Sequence, residues 1–209
     1  MSITRRTPVQ GRSQETVQKV LAATATLLAS GQPVEILTTA SIAAAASVSV
    51  GALYRFFPDK QAIVDAIALD HMAKFQDAIA VRFMLSFPPD APGFLAAILD
   101  AFAEYLEAHP DFRTVAFGAP GGGRHVSRPT RDAYAGSGEV SEMVRSFLAD
   151  AYDIAITEAF ELRLRLAIEI GDRLFAYAFE QPTQTARAEI IAEAKRILAT
   201  TLFGPPTPC

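Results

Sequence analysis

The chain has 209 residues, half of them hydrophobic, and a formal net charge of -4, enough for one small and one medium helical domain with sizeable cores. Strand-like alternation is rare and no window approaches the roughly eighteen apolar residues of a membrane span, so the chain reads as all-α without a transmembrane segment. The single cysteine, Cys209, is the last residue, which rules out an intrachain disulfide and gives no sign of an oxidising compartment.

In chain order, the stretch up to Arg12 holds the adjacent Arg5 and Arg6 but no apolar run. It is therefore not expected to be a secretory signal, and a cytoplasmic protein is expected. Arg5, Arg6 and Arg12 suit either a basic arm lying in a minor groove or a solvated terminus. A helix is expected from Ser13 to Ser30. Two short helices then follow within LTTASIAAAASVSVGALYRFFPDK, Leu37 to Lys60. Thr38 and Thr39 offer side-chain oxygens to cap a helix beginning near Ala40. Ile42 faces inward, and Ala43 and Ala46 are small where two helices cross closely. Val48, Leu53 and Phe57 supply the apolar anchor of the second helix, which leaves Ser49, Val50, Gly51, Ala52, Tyr54, Arg55 and Phe56 toward solvent or a groove. Pro58 stops that helix, and Asp59 can cap the one starting at Lys60.

A short helix with a hydroxyl start, a Ser-Val turn and a second short helix carrying Tyr54 is the layout of a helix-turn-helix. The Thr-Thr entry, Ile42-Ala43, Val48-Ser49, Gly51 to Tyr54 and the ending Phe57-Pro58-Asp59-Lys60 resemble the DNA-binding domain of TetR/AcrR-type transcriptional repressors. The motif covers roughly residues 14 to 67, and the rest of the chain agrees in length and helical character. The resemblance implies that Thr39, Ser49, Gly51, Tyr54 and Lys60 meet the DNA backbone or groove, with Val50 and Ala52 facing base edges. Two positions depart from the pattern. Ser47 stands where a turn glycine is usual and must adopt a left-handed backbone, and Phe56 replaces a histidine able to donate to phosphate.

The charge agrees with a DNA partner once it is divided along the chain. Residues 1–62 hold six basic and three acidic residues, a net +3, whereas the remainder holds 13 basic and 20 acidic, a net -7. Basic charge thus accompanies the motif, as phosphate neutralisation requires. The expected organisation is an arm and helix-turn-helix domain over 1–62, joined to an effector-binding and dimerisation domain over 63–209.

A long helix from Lys60 to about Met84 leads out of the first domain and is the natural lever between effector and motif. The SFPPDAPG segment, Ser86 to Gly93, reads as a loop, followed by helices from Phe94 to Ala108 and from His109 or Pro110 to Phe117. Gly118 to Gly138 reads as a long glycine-rich connection. Its Gly121-Gly122-Gly123 run before Arg124 and His125 lacks the Gly-Lys-Ser/Thr ending and preceding strand of a phosphate loop, and the resemblance places it beside the effector cavity. Two further helices are expected, Glu161 to Glu180 and Thr183 to Leu202. Leu162, Leu166, Ile170, Leu174 and Phe175 form one apolar stripe, and Ile190, Ile191, Ala194, Ile197 and Leu198 another. Such stripes most often pack within their own domain; by resemblance, these helices form a four-helix bundle with a second copy.

The aromatic residues between motif and bundle individually suit a helical core and collectively suit an apolar pocket. Phe102, Tyr105, Phe112, Phe117, Phe147 and Tyr152 are its candidate lining, with Glu104, His109, Arg113 and Arg145 as candidate polar groups, and the expected effector is small, organic and largely apolar. No catalytic constellation appears, since His71, His109 and His125 lack metal-ligand spacing and there is no Gly-x-Ser-x-Gly elbow. No enzyme, metal or cofactor is expected. The expectation is a ligand-responsive repressor that binds a near-palindromic operator as a homodimer. A ligand-binding or dimerisation module without DNA binding is the alternative.

Overall fold

The computed structural model describes residues 11–118 and 139–205. Arg5, Arg6, the Gly121 to Arg128 run and Cys209 lie outside the described residues, as does nearly all of the glycine-rich connection. The described chain is all-α, with no strand.

Helix α1 (Gly11–Ala29) turns Val17, Val20, Thr24 and Leu28 inward at three- and four-residue spacing. The buried Thr24 hydroxyl donates to the Val20 carbonyl, 2.8 Å away. The helix stops at Gly31, whose φ of +86° closes the end through an N–H bond to the Leu28 carbonyl. A 3-10 turn, Val34–Ile36, precedes α2 (Thr39–Ala45) and α3 (Val50–Tyr54). Helix α4 (Lys60–Leu85) is continuous. Helices α5 (Ala91–Ala108) and α6 (Pro110–Phe117) follow, then α7 (Glu139–Tyr152), α8 (Glu158–Phe179) and α9 (Gln184–Phe203).

Two compact units contain these elements. Among the described residues, the first holds those up to Phe75 and from Leu106 to Gly118, and the second those from Gln76 to Tyr105 and from Glu139 onward. Packing therefore places residues 63–75 and α6 with the motif helices.

The core of the first unit joins Val20 and Leu28 of α1, Ile42 of α2, Leu53 of α3, Phe57, Ile63 and Val64 of α4, and Val115 of α6. Thr114 ties α6 to α1, its hydroxyl lying 3.2 Å from the Leu28 carbonyl and 3.0 Å from that of Pro110. Next to it lies a polar cluster. His71 Nε2 sits 2.9 Å from the Asp111 carboxylate, and the His71 ring stacks on Phe112 and lies 5.1 Å from that of His109. Burial alone would raise the Asp111 carboxyl. The His71 hydrogen bond and charge, with backbone amides of Phe112 and Asp111, outweigh it and hold the carboxyl below its ordinary value.

In the second unit, Phe83, Phe87, Phe94, Phe147 and Tyr152 form an aromatic cluster with ring centroids 5.1–6.5 Å apart. Tyr152 donates to the Pro88 carbonyl at 2.8 Å, and burial with the nearby Asp90 pushes its phenol up, which keeps it a donor. Helices α8 and α9 pack together, each capped by a threonine: Thr157 accepts from Phe160 N–H and Thr183 from Ala186 N–H, both at 3.2 Å. Their approach is close at Gly171, where a Cβ would lie 3.3 Å from Leu198 Cδ1.

Four expectations are corrected. The loop read through Gly93 ends earlier, because Asp90 accepts the Gly93 N–H at 2.7 Å and starts α5 at Ala91, with Pro92 tolerated in the first turn. Helix α8 begins at Glu158 under its Thr157 cap. Helix α7 was not anticipated. Phe56 faces the core instead of a groove: it is buried, with the Arg55 guanidinium 5.6 Å from its ring centre.

Candidate nucleic-acid interface

Both motif helices are set by side-chain caps. Thr38 Oγ1 accepts the Ser41 N–H at 3.0 Å while Ser41 Oγ accepts the Thr38 N–H at 3.0 Å, a reciprocal capping box that starts α2 at Thr39. At the other end Ser47 adopts φ +54°. Its N–H bonds to the Ala44 carbonyl at 3.1 Å and that of Val48 to the Ala43 carbonyl at 3.0 Å, the two bonds of a Schellman motif. Serine thus fills the left-handed position that glycine would fill without strain. Ser49 then caps α3 by accepting the Ala52 N–H at 3.1 Å.

Helix α3 is only five residues long and takes its position from its anchors. Leu53 and Phe57 are fully buried and Val48 packs against the same core. The opposite side carries Ser49 and Gly51 in the open, Val50 and Tyr54 at 40% and 41% exposure, and a half-buried Ala52. Between Leu37 and Pro58 there is no acidic residue and one basic residue, Arg55, so nothing on this segment repels a polyanion.

Thr39 and Tyr54 meet across the motif, with Oγ1 and Oη 3.0 Å apart, joining the first residue of α2 to the last of α3. Whichever hydroxyl donates, the other keeps a proton to give to an outside acceptor. Asp59 Oδ1 accepts the Ala62 N–H at 2.8 Å and caps α4. Lys60 points elsewhere. Its ammonium donates to the carbonyls of Val34, Glu35 and Leu37 at 2.8, 2.7 and 2.9 Å. The seven anticipated residues Thr39, Ser49, Val50, Gly51, Ala52, Tyr54 and Lys60 thus share one motif, but the Lys60 charge is turned into it.

Residues 20–67 match the family model described as bacterial regulatory proteins, tetR family. The N-terminal domain belongs to the TetR family. Its class of function is DNA-binding regulation of transcription. Among solved structures the chain resembles a TetR-family transcriptional regulator from Streptomyces coelicolor, with 23% identity, 90% of this chain and 97% of that one covered, and a TM-score of 0.66. A TetR transcriptional regulator from Rhodococcus sp. RHA1 has 20% identity, the same coverages and a TM-score of 0.56. The fatty acid degradation regulator FadR from Bacillus halodurans has 16% identity, covers 92% of this chain and 97% of that one, and gives a TM-score of 0.53. At these identities the TetR-like fold is what they share. Comparison with curated proteins gives no match.

The six candidate pocket residues fall in both units. Phe112 and Phe117 belong to the first unit, where Phe112 stacks on His71. Phe147 and Tyr152 sit in the aromatic cluster of the second, and Phe102 packs on Phe175, 5.4 Å between centroids. Tyr105 is the last second-unit residue of α5. Each polar candidate has a partner within its own unit: Arg82 binds Glu104 at 2.7 Å, Arg145 binds Glu142 and Glu161, Arg113 reaches the Leu106 carbonyl at 3.4 Å, and His109 lies by His71. Among the described residues, no three His, Cys, Asp or Glu side chains converge as a metal site and no helix is long and apolar enough to cross a membrane.

Proposed function

We propose that this TetR-type chain acts in the cytoplasm as a homodimeric repressor, with α3 of each copy in successive major grooves of a near-palindromic operator and release triggered by a small, largely apolar effector. The observation that carries the reading is Gly51. A glycine inside a helix costs about 1 kcal/mol relative to alanine, yet a Cβ at Gly51 would meet nothing within 4 Å and its φ is not positive. Neither packing nor backbone conformation asks for it. A bare backbone at the centre of an exposed helix does suit close approach by a groove wall.

Val50, Gly51 and Ala52 cannot make the bidentate contacts by which arginine reads guanine or asparagine reads adenine. What remains is contact with thymine methyl groups and readout of DNA shape. Thr39, Ser49 and Tyr54 supply hydroxyls for positioning on the backbone.

A dimer fits the half-site spacing of about 34 Å that two recognition helices must match. The outward face of α8 supports it, with Leu162, Leu166 and Tyr177 all about half exposed. An apolar effector is supported by the aromatic cluster around Phe94, and the Bacillus halodurans relative in fold is named for fatty acid degradation. Differential affinity of about 1–3 kcal/mol between two states suffices for 5- to 150-fold regulation.

The test is to offer the purified protein a genomic fragment library at two salt concentrations and sequence what is retained. A shared near-palindrome whose affinity falls with salt supports the reading, and uracil in place of its contacted thymines should weaken binding. Recovery of no common sequence leaves the alternative of a module without DNA binding.

A further inference from the structure

We propose that Lys60 is a positioning residue of the DNA-binding face and makes no phosphate contact: its ammonium ties the first turn of α4 to the entrance of α2. The inference rests on the DNA-binding reading of α3. An ammonium has three N–H donors, and here three backbone carbonyls lie 2.7–2.9 Å from Nζ. These are charge-assisted bonds, and they leave no proton for an outside oxygen. Two of the acceptors, Val34 and Glu35, belong to the 3-10 turn, so the cation sits where that turn's carbonyls emerge.

The third acceptor, Leu37, immediately precedes Thr38, the cap of α2. From there the connections run on: Thr38 fixes the start of α2 through its box with Ser41, and Thr39 bonds Tyr54 at the end of α3. Lys60 opens a helix that continues unbroken to Leu85. The first turn of α4 therefore cannot move against the 3-10 turn without stretching three hydrogen bonds, and the hydroxyl pair offered to DNA lies at the end of that chain. The side chain acts as a tether, holding the motif in register with α4.

The discriminating substitution is Lys60→Arg. A guanidinium keeps the charge and binds phosphate at least as well as an ammonium does, but its planar fork does not converge on three carbonyls. Binding of wild type and Lys60→Arg to a fragment retained by the wild type is measured across a salt series, with thermal unfolding alongside. The tether predicts roughly tenfold weaker binding at every salt concentration, a parallel shift. Binding as tight as wild type overturns it, as does a Lys60→Met variant whose salt slope falls by about one.

Should the variants not fold, the lysine ammonium signals of the wild-type protein decide. Lys60 protons slowed from exchange in the free protein and unmoved by the fragment support the tether. Fast exchange, or a signal that shifts with coupling to phosphorus, overturns it. A wild type that retains no fragment defeats the DNA reading and not the tether, which the free-protein spectrum settles by itself.

Discussion

Helices α3 and α8 present opposite surfaces. The outward residues of α3 are small or polar, Ser49, Gly51, Ala52 and Tyr54 with Val50, whereas α8 turns outward Leu162, Leu166 and Tyr177 at 50%, 47% and 47% exposure. A surface like that of α3 gains little from burial, so its partner must supply charge, hydrogen-bond acceptors and a shape to fit. The α8 face offers apolar area, which gains free energy from any surface that removes it from water. The first suits a nucleic acid and the second another copy of the chain.

The comparison breaks most severely if α3 loses its anchor. Phe57 is fully buried, so Phe57→Ala should cost about 3–5 kcal/mol, read as a lower denaturation midpoint, and should remove the proposed DNA-facing surface while leaving α8 able to associate. Leu166→Asp is the counterpart, placing a charge in the apolar stripe. It should shift the proposed dimer toward monomer by about 2 kcal/mol or more in sedimentation equilibrium.

Acid should weaken the first unit. Asp111 is held below its ordinary value, so the folded protein keeps it ionised where the unfolded chain takes up a proton. The stability it contributes is fully present above the ordinary aspartate range, about pH 4, and is lost as pH falls through the lower folded value. Burial and the His71 charge also depress His109, so its contribution has the same sign and fades as pH falls below about 6.5. Asp111→Asn should cost about 1–2 kcal/mol at neutral pH, and the gap from wild type should close in acid, measured by denaturation across pH.

What the sequence made legible was local. The Thr38 cap, the inward Ile42, Leu53 and Phe57, the left-handed Ser47 and the Asp59 cap each depend on a few neighbouring residues, and each stands where the sequence placed it. What escaped depends on distant partners. The Lys60 ammonium meets carbonyls 23 to 26 residues away, and no pattern in its own helix announces them. Phe56 stands where the resembling family carries a groove histidine, but the chain leaves α3 there and turns it into the core. Helix α7 went unread because it emerges from a glycine-rich run without a recognised cap. Aromatic composition carries no information on which rings are neighbours, so the pairing of Phe94 with Phe147 and of Phe102 with Phe175 was not legible.

Gly51→Ala asks whether the α3 face is shaped for something outside the protein. With nothing within 4 Å of the new Cβ, the folded protein should be as stable as wild type or more stable by up to about 1 kcal/mol, while affinity for a fragment retained by the wild type should fall. A variant that binds that fragment as tightly as wild type would contradict the account.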